Sequence, residues 1–144
     1  MSTGKPTAAS RPLDEFGRPD FEELPLHKYI GVKLVDKDRR HLGCTFVVNP
    51  AIEGREGQLN GGILSLVLDA VAYLALEPEL AENEDAVSHD LHISMLKGVM
   101  SGQTVHLKGE LVQRGKRVAF VNAEARADGR LVATARITKS ILQK

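Results

Sequence analysis

An α+β domain, with a curved antiparallel sheet of about six strands wrapped around one long central helix, is predicted by three features of the sequence. The first is a stretch from Gly57 to Leu76 in which Asp69 is the sole charged residue. Leu, Ala and Val fill every helical phase of it, and a helix apolar all round is enclosed by protein. The second is the change to period two after Ala86, where Val87, His89, Leu91, Ile93 and Met95 alternate with Ser88, Asp90, His92 and Ser94. The third is the punctuation beyond it. Ser101-Gly102, Arg114-Gly115-Lys116 and Asp128-Gly129 separate further alternating segments, and Asp-Gly between such segments is a strong hairpin signal.

In chain order, residues 1–20 hold Ser, Thr, Gly, three prolines and scattered charges with little to bury, and are expected to form a flexible N-terminal arm. Residues 21–144 are expected to form one domain. Phe21 to Tyr29 reads as a short helical or irregular piece interrupted by Pro25. Ile30 to Val35 and Arg40 to Val48 read as two strands joined by the polar turn Asp36-Lys37-Asp38-Arg39. Asn49-Pro50 ends the second, since proline cannot continue a central ladder. The glycine-bearing loop Glu53-Gly54-Arg55-Glu56-Gly57 then delivers the chain to a helix of about residues 62–76, which Glu77-Pro78 stops. The acidic run Glu77 to Asp85 is expected to be a solvated connection. Four antiparallel strands follow: one from Ala86 to Met95, then Thr104 to Gln113, Arg117 to Ala127 and Leu131 to Leu142. One sheet face cannot cover a helix that is apolar on every side, so a second subunit is expected to complete its enclosure.

At 144 residues the chain can bury a core without staples. Its 19 basic and 19 acidic side chains balance, so no net field favours nucleic acid or an anionic membrane. Trp is absent and aromatics are 4%, too few for the stacking platforms of a single-strand binder. Gly61 to Leu76 is shorter than the roughly 20 apolar residues of a spanning helix, and the first residues lack the apolar core of a secretory signal. The single cysteine, Cys44, sits in an apparent strand and reads as a small buried hydrophobe. A cytoplasmic location is expected. His89 and His92 fall on opposite faces of a strand, and His27, His41 and His106 have no partner at informative spacing, so no metal site is expected.

Chemistry points to Asp69. An ionised carboxylate in apolar surroundings is expensive unless paired, hydrogen-bonded or protonated, and such carboxylates are frequent at catalytic sites. The bland alternative is a structural acid bonded to backbone. Ahead of it, Gly57-Gln58-Leu59-Asn60-Gly61-Gly62 leads into the helix, with Asp69 seven residues after Gly62. Beyond it stand Val87-Ser88-His89-Asp90-Leu91-His92-Ile93, Gly115-Lys116-Arg117-Val118-Ala119-Phe120-Val121 and Asp128-Gly129-Arg130-Leu131-Val132-Ala133. These residues, in this order of elements from about 24 to 142, resemble the hotdog-fold thioesterases, in particular the phenylacetic-acid-degradation-type acyl-CoA thioesterases. That family usually carries Gly-x-x-His-Gly-Gly before its helix. Asn60 stands here in place of the histidine, and Gly54 falls where the family often has Asn or Gln.

The resemblance implies hydrolysis of an acyl-CoA thioester without a cofactor, in a homodimer or homotetramer. It implies that the Gly61 N–H of one subunit forms the oxyanion hole facing Asp69 of its mate. Asp69 would act as nucleophile or general base, Ser88 would orient it or the water, and Asn60 would donate a hydrogen bond. Gly57, Gly62 and Tyr73 would line the substrate. Each assignment has a structural alternative: Asn60 as a helix cap, the glycine pair as a close-packing device, and Ser88 as a surface residue. Strict alternation puts Ser88 opposite Leu91 and Ile93 unless a bulge turns it inward. Arg114, Lys116 and Arg117 could meet the coenzyme A phosphates or be ordinary turn residues. Two further functions compete: a non-catalytic acyl-CoA binding protein with a decayed site, and a hotdog hydratase or dehydratase, against which the missing histidine argues.

Overall fold

The computed structural model describes residues 13–14 and 17–144. The expected arm over residues 1–20 therefore lies largely outside the described residues. Its described part includes a bridge between Leu13 and Pro19 and the Asp14 carboxylate, which reaches Arg40.

Helix α1 (Pro25–Ile30) begins at the proline, because a first-turn position needs no N–H and the ring presets φ. It ends at Gly31, which takes the left-handed conformation at φ 86°. Strands β1 (Lys33–Leu34) and β2 (Cys44–Val47) are shorter than their apolar runs suggest. Residues Arg40–Leu42 instead form a 3₁₀ turn. The Arg40 side chain is drawn into the protein, where its guanidinium meets Glu77 at 3.1 Å, Asp14 at 3.4 Å and the Pro19 carbonyl at 3.2 Å. Glu77 thus anchors a buried arginine, and the acidic run it opens is not simply solvated. Burial raises the Glu77 carboxyl above its ordinary range, against the opposing pull of Arg40.

Helix α2 (Gly61–Leu76) is followed by strands β3 (Glu84–Met95), β4 (Thr104–Arg114), β5 (Val118–Ala127) and β6 (Arg130–Gln143). The six strands form one antiparallel sheet in the order β1-β2-β4-β5-β6-β3. The long helix lies on one face of this sheet, chiefly over β4 and β5. Close approach is set by Gly109 on β4: a Cβ there would fall 2.6 Å from the Val71 carbonyl oxygen and 2.9 Å from Ala75 Cβ. Leu64, Val67, Leu68, Val71, Ala72, Leu74 and Leu76 of α2 are buried, with Val105, Leu107, Val121, Ala125, Ala133, Ala135 and Ile137 among the sheet residues beneath them. With its following 3₁₀ turn the apolar segment runs Gly61–Glu79, long and apolar enough to cross a membrane by length and composition. Its buried residues belong to the core of this domain.

The helix is not fully enclosed within one chain. Ile63, Leu66, Ala70 and Tyr73 form a stripe that is only partly buried. Beside it runs β3, an edge strand of twelve residues that among the described residues pairs only with β6. A register shift between Ser88 and Asp90 marks a bulge at His89. Because of that extra residue, Ser88 sits opposite Lys139 while Leu91, Ile93 and Met95 sit opposite Ile137, Ala135 and Ala133, all facing the helix side. Strict alternation would have placed Ser88 on the outer surface; the bulge turns it inward.

Candidate active site

Asn60 builds the start of α2. Its side-chain Oδ1 accepts hydrogen bonds from the backbone N–H of Gly62 at 2.8 Å and of Ile63 at 3.4 Å. No described residue accepts from the N–H of Gly61, the first helical residue. That amide is one of the orphan donors at a helix start, where the dipole adds positive potential. The loop before it is held by backbone bonds: Gly54 N–H to the Gln58 carbonyl at 2.7 Å, Leu59 N–H to Val99 at 2.7 Å and Asn60 N–H to Ile52 at 3.0 Å. Gly57 takes φ 73° here, a region glycine enters freely. Gly54 lies beside Asn60, its Cβ position 3.8 Å from Asn60 Nδ2. A polar side chain at 54 would therefore have stood next to the capping amide.

A cavity of about 280 Å³ opens at this helix start, lined by Gln58, Leu59, Gly61, Leu64, Met95 and Val99 among others. Met95 Sδ lies 3.0 Å from where a Cβ of Gly61 would be. The glycine lets this sulfur, or a ligand in its place, rest directly on the helix start. Gly62 is exposed beside it.

Two turns further along α2, Asp69 points toward the sheet edge. The Ser88 hydroxyl donates a short hydrogen bond to Asp69 Oδ1. The Lys139 ammonium donates to the same Oδ1 at 3.0 Å, to Ser88 Oγ at 2.8 Å and to the Asp69 backbone carbonyl at 3.4 Å. Oδ2 has no donor among the described residues. The Asp69 side chain is 35% exposed and that of Lys139 only 4%. The carboxylate therefore faces outward while its countercharge is buried behind it.

Tyr73, one turn beyond Asp69, sends its hydroxyl to Asp85 Oδ1 at 3.2 Å. Its ring centroid lies 5.8 Å from Lys139 Nζ. Burial, with the negative charge of Asp85 next, pushes its phenol up to about 12. The structure thus brings Asp69, Ser88 and Tyr73 around Lys139, and Asn60, Gly61, Gly62 and Gly57 around the helix start. It keeps these two groups apart. Eight residues of α-helix separate Gly61 from Asp69, a rise of about 12 Å.

Lys139 is the residue that sequence reasoning missed. The signal was present: Ala133, Ala135, Ile137, Lys139 and Ile141 alternate along β6, so a lysine occupies an inward position of a core strand. Lysine is almost never fully buried without a partner. Arg114, expected at a hairpin tip, is held by Glu84 in a close ion pair. Cys44 is buried, and burial pushes its thiol up to about 12.

Residues 56–139 match the thioesterase superfamily, and the chain belongs to that superfamily. Its arrangement is the hotdog fold, shared with solved thioesterase structures. A phenylacetic acid degradation-related protein from Ralstonia eutropha is 29% identical, with a TM-score of 0.66 over 76% of this chain and 82% of that one. A thioesterase from Haemophilus influenzae has a TM-score of 0.74 at 20% identity, covering 86% and 91%. A Bacillus halodurans protein solved with coenzyme A has a TM-score of 0.71 at 21% identity, covering 78% and 72%. No curated protein sequence matches the chain.

Proposed function

We propose that this protein is an acyl-CoA thioester hydrolase whose active site forms between two copies of the chain. The carrying observation is the separation of the two chemical halves on one helix. An oxyanion donor must lie about 3 Å from the carbonyl oxygen, and an attacking group about 3–3.5 Å from the carbonyl carbon. A gap of about 12 Å along the helix cannot satisfy both at one carbonyl. Gly61 of one subunit and Asp69 of another can. The free edge of β3, with Val87, Leu91 and Met95 exposed, lies next to Ser88 and supports antiparallel addition of a second copy there. The half-covered helix stripe supports the same arrangement, and pairs of such dimers would give a tetramer.

The thioester carbonyl then accepts from Gly61 N–H, with Asn60 Nδ2 as a neighbouring donor. In one route Asp69 Oδ2 attacks the carbonyl carbon, and the C–S bond breaks to leave an acyl–Asp69 anhydride and the coenzyme A thiolate. A water then hydrolyses the anhydride, giving the acid, the free carboxylate and a proton for the thiolate. In the other Asp69 Oδ2 takes a proton from a water that attacks the carbonyl carbon. The C–S bond breaks, and that proton passes from Asp69 to the departing thiolate as the acid is released. Ser88 holds Oδ1 throughout. Gly57 and Gly62 shape the loop against which the thioester arm lies. Tyr73, committed to Asp85, shapes the wall rather than bonding substrate. No step requires a cofactor or metal, and a single buried thiol fits a reducing, cytoplasmic setting.

One observation favours the alternative of a non-catalytic acyl-CoA binder: the Asp69 carboxylate already holds an ion pair with Lys139 of its own chain. A hydratase is less well supported, because His89 Nδ1 is engaged with Ser140 and lies away from Asp69.

The test is thiol release from short, medium, long and aromatic acyl-CoA esters, followed by mixing of two inactive variants. Asp69→Asn removes the acid. Gly61→Pro removes the oxyanion N–H at a helix position that tolerates proline. Random reassortment of the two in a site shared between subunits restores about one quarter of wild-type activity, through the single intact site of each heterodimer. No recovery on mixing would refute the shared site, and no thiol release by the wild type would leave the binding reading standing.

A further inference from the structure

We propose that Lys139 is a positioning residue for this chemistry, aiming Asp69 so that Oδ2 is its one reactive oxygen. The inference rests on the thioesterase reading and adds to it a residue outside the superfamily's glycine loop and helix carboxylate.

The geometry carries it. A lysine ammonium has three donors and no acceptor, and all three of Lys139's are spent on three acceptors of the site: Asp69 Oδ1, Ser88 Oγ and the Asp69 carbonyl. Because Lys139 can only donate, the Ser88 oxygen must accept from it. The Ser88 hydrogen is then free in one direction, toward Oδ1. Both lone-pair directions of Oδ1 are filled, and among the described residues neither of Oδ2 is. The carboxylate cannot rotate about Cβ–Cγ without breaking two charge-assisted bonds at once. The other groups facing Lys139 do not compete. From α2 comes the Tyr73 ring, whose hydroxyl is held by Asp85; from β5 comes Ala119, uncharged; from β3 comes Ser88 alone. Asp69 is thus the partner charge of a lysine that is itself 3% exposed.

Burial behind Asp69 keeps Lys139 from touching substrate, so it acts on turnover and not on binding. Lys139→Met is expected to lower kcat at neutral pH by about tenfold or more, equivalent to about 1.4 kcal/mol, with KM little changed. Lys139→Arg keeps donors behind Oδ1 and is expected to recover part of kcat. Lys139→Gln serves as the neutral variant if Met fails to fold, and each variant is first checked for its melt and subunit number.

A second readout does not depend on turnover. The infrared band of the Asp69 carboxylate is located by subtracting the spectrum of Asp69→Asn from wild type. At neutral pH its position is expected to be alike in wild type and Lys139→Arg and to shift in Lys139→Met, where one of the two donors to Oδ1 is gone. A shifted band in Lys139→Met together with a wild type that releases no thiol would overturn the thioesterase reading while supporting the Lys139–Asp69 assignment. A wild type that releases thiol, with kcat and band both unchanged in Lys139→Met, would overturn the role of Lys139 alone. A rise in KM at constant kcat would overturn it too, by placing Lys139 in substrate binding.

Discussion

Replacing Asp69 by leucine tests the pairing through stability rather than through turnover. The Lys139 ammonium is enclosed, and the substitution leaves it with Ser88 Oγ at 2.8 Å and the backbone carbonyl of residue 69 at 3.4 Å. Breaking a buried pair by deleting one partner costs about 3–5 kcal/mol, because the survivor's charge is left uncompensated. The value here belongs near 3 kcal/mol for two reasons: the lost carboxylate was 35% exposed, and two acceptors remain. At about 3 °C per kcal/mol for a chain of this size, the midpoint of thermal unfolding falls by about 10 °C. Replacing both partners, Asp69→Leu with Lys139→Met, removes the orphaned charge and is expected to return to within about 1 kcal/mol of wild type. The assay is thermal and urea unfolding of the three proteins followed by circular dichroism. Protein concentration is held fixed, because the midpoint of an oligomer depends on it. Asp69→Leu as stable as wild type, or a double variant no better than the single, would falsify the claim that Lys139 depends on Asp69.

Three further outcomes are expected. Gly109→Ala drives a methyl to 2.6 Å from the Val71 carbonyl oxygen and 2.9 Å from Ala75 Cβ; a backbone carbonyl and a Cβ fixed to the helix cannot yield cheaply, so urea unfolding should show a loss of about 2–3 kcal/mol. Cys44 should stay unreactive to thiol reagents at neutral pH until the protein unfolds. Its folded-state value lies above the unfolded one, so its contribution is complete below pH 9.0 and is lost as pH rises toward about 12, at about 1.4 kcal/mol per unit; Cys44→Ala should flatten that part of the alkaline stability curve, and an unchanged curve would remove the thiol as its cause. Leu91→Lys places a charge on the exposed apolar part of β3, where Leu91 is 42% exposed, and should yield a monomer by size-exclusion chromatography that releases no thiol.

Much of the fold was legible because the signals were periodic. The apolar run ending at Glu77-Pro78, charged only at Asp69, marked α2 almost to the residue, and the turn glycines marked the hairpins of β4, β5 and β6. β1 and β2 form where expected but are shorter than their apolar runs, because a tertiary demand outweighs local preference: Arg40 sits in a strand-like run but is pulled into a cluster with Glu77 and Asp14. The candidate site was legible in its residue types, with Asp69 named by its isolation and Asn60 by its place at a helix start. Its connections were not. Ser88 points inward only because His89 interrupts the alternation, and a one-residue bulge leaves little trace in composition. Lys139 is separated from Asp69 by 70 residues, and only the β6 register joins them.

The two rims of the sheet differ in a way that bears on how far assembly can proceed. One rim, β3, offers twelve residues of open ladder; the other, β1, offers two. Growth by strand pairing needs a usable rim at both ends of each unit, and here a copy that adds at β3 presents only the two-residue rim to a third. The His89 bulge further restricts what can match β3 along its length, since an irregular edge fits a regular strand poorly. The same device that turns Ser88 toward Asp69 therefore also acts against open-ended stacking of sheets. Pairing at β3 would therefore give a finite assembly and not a fibre.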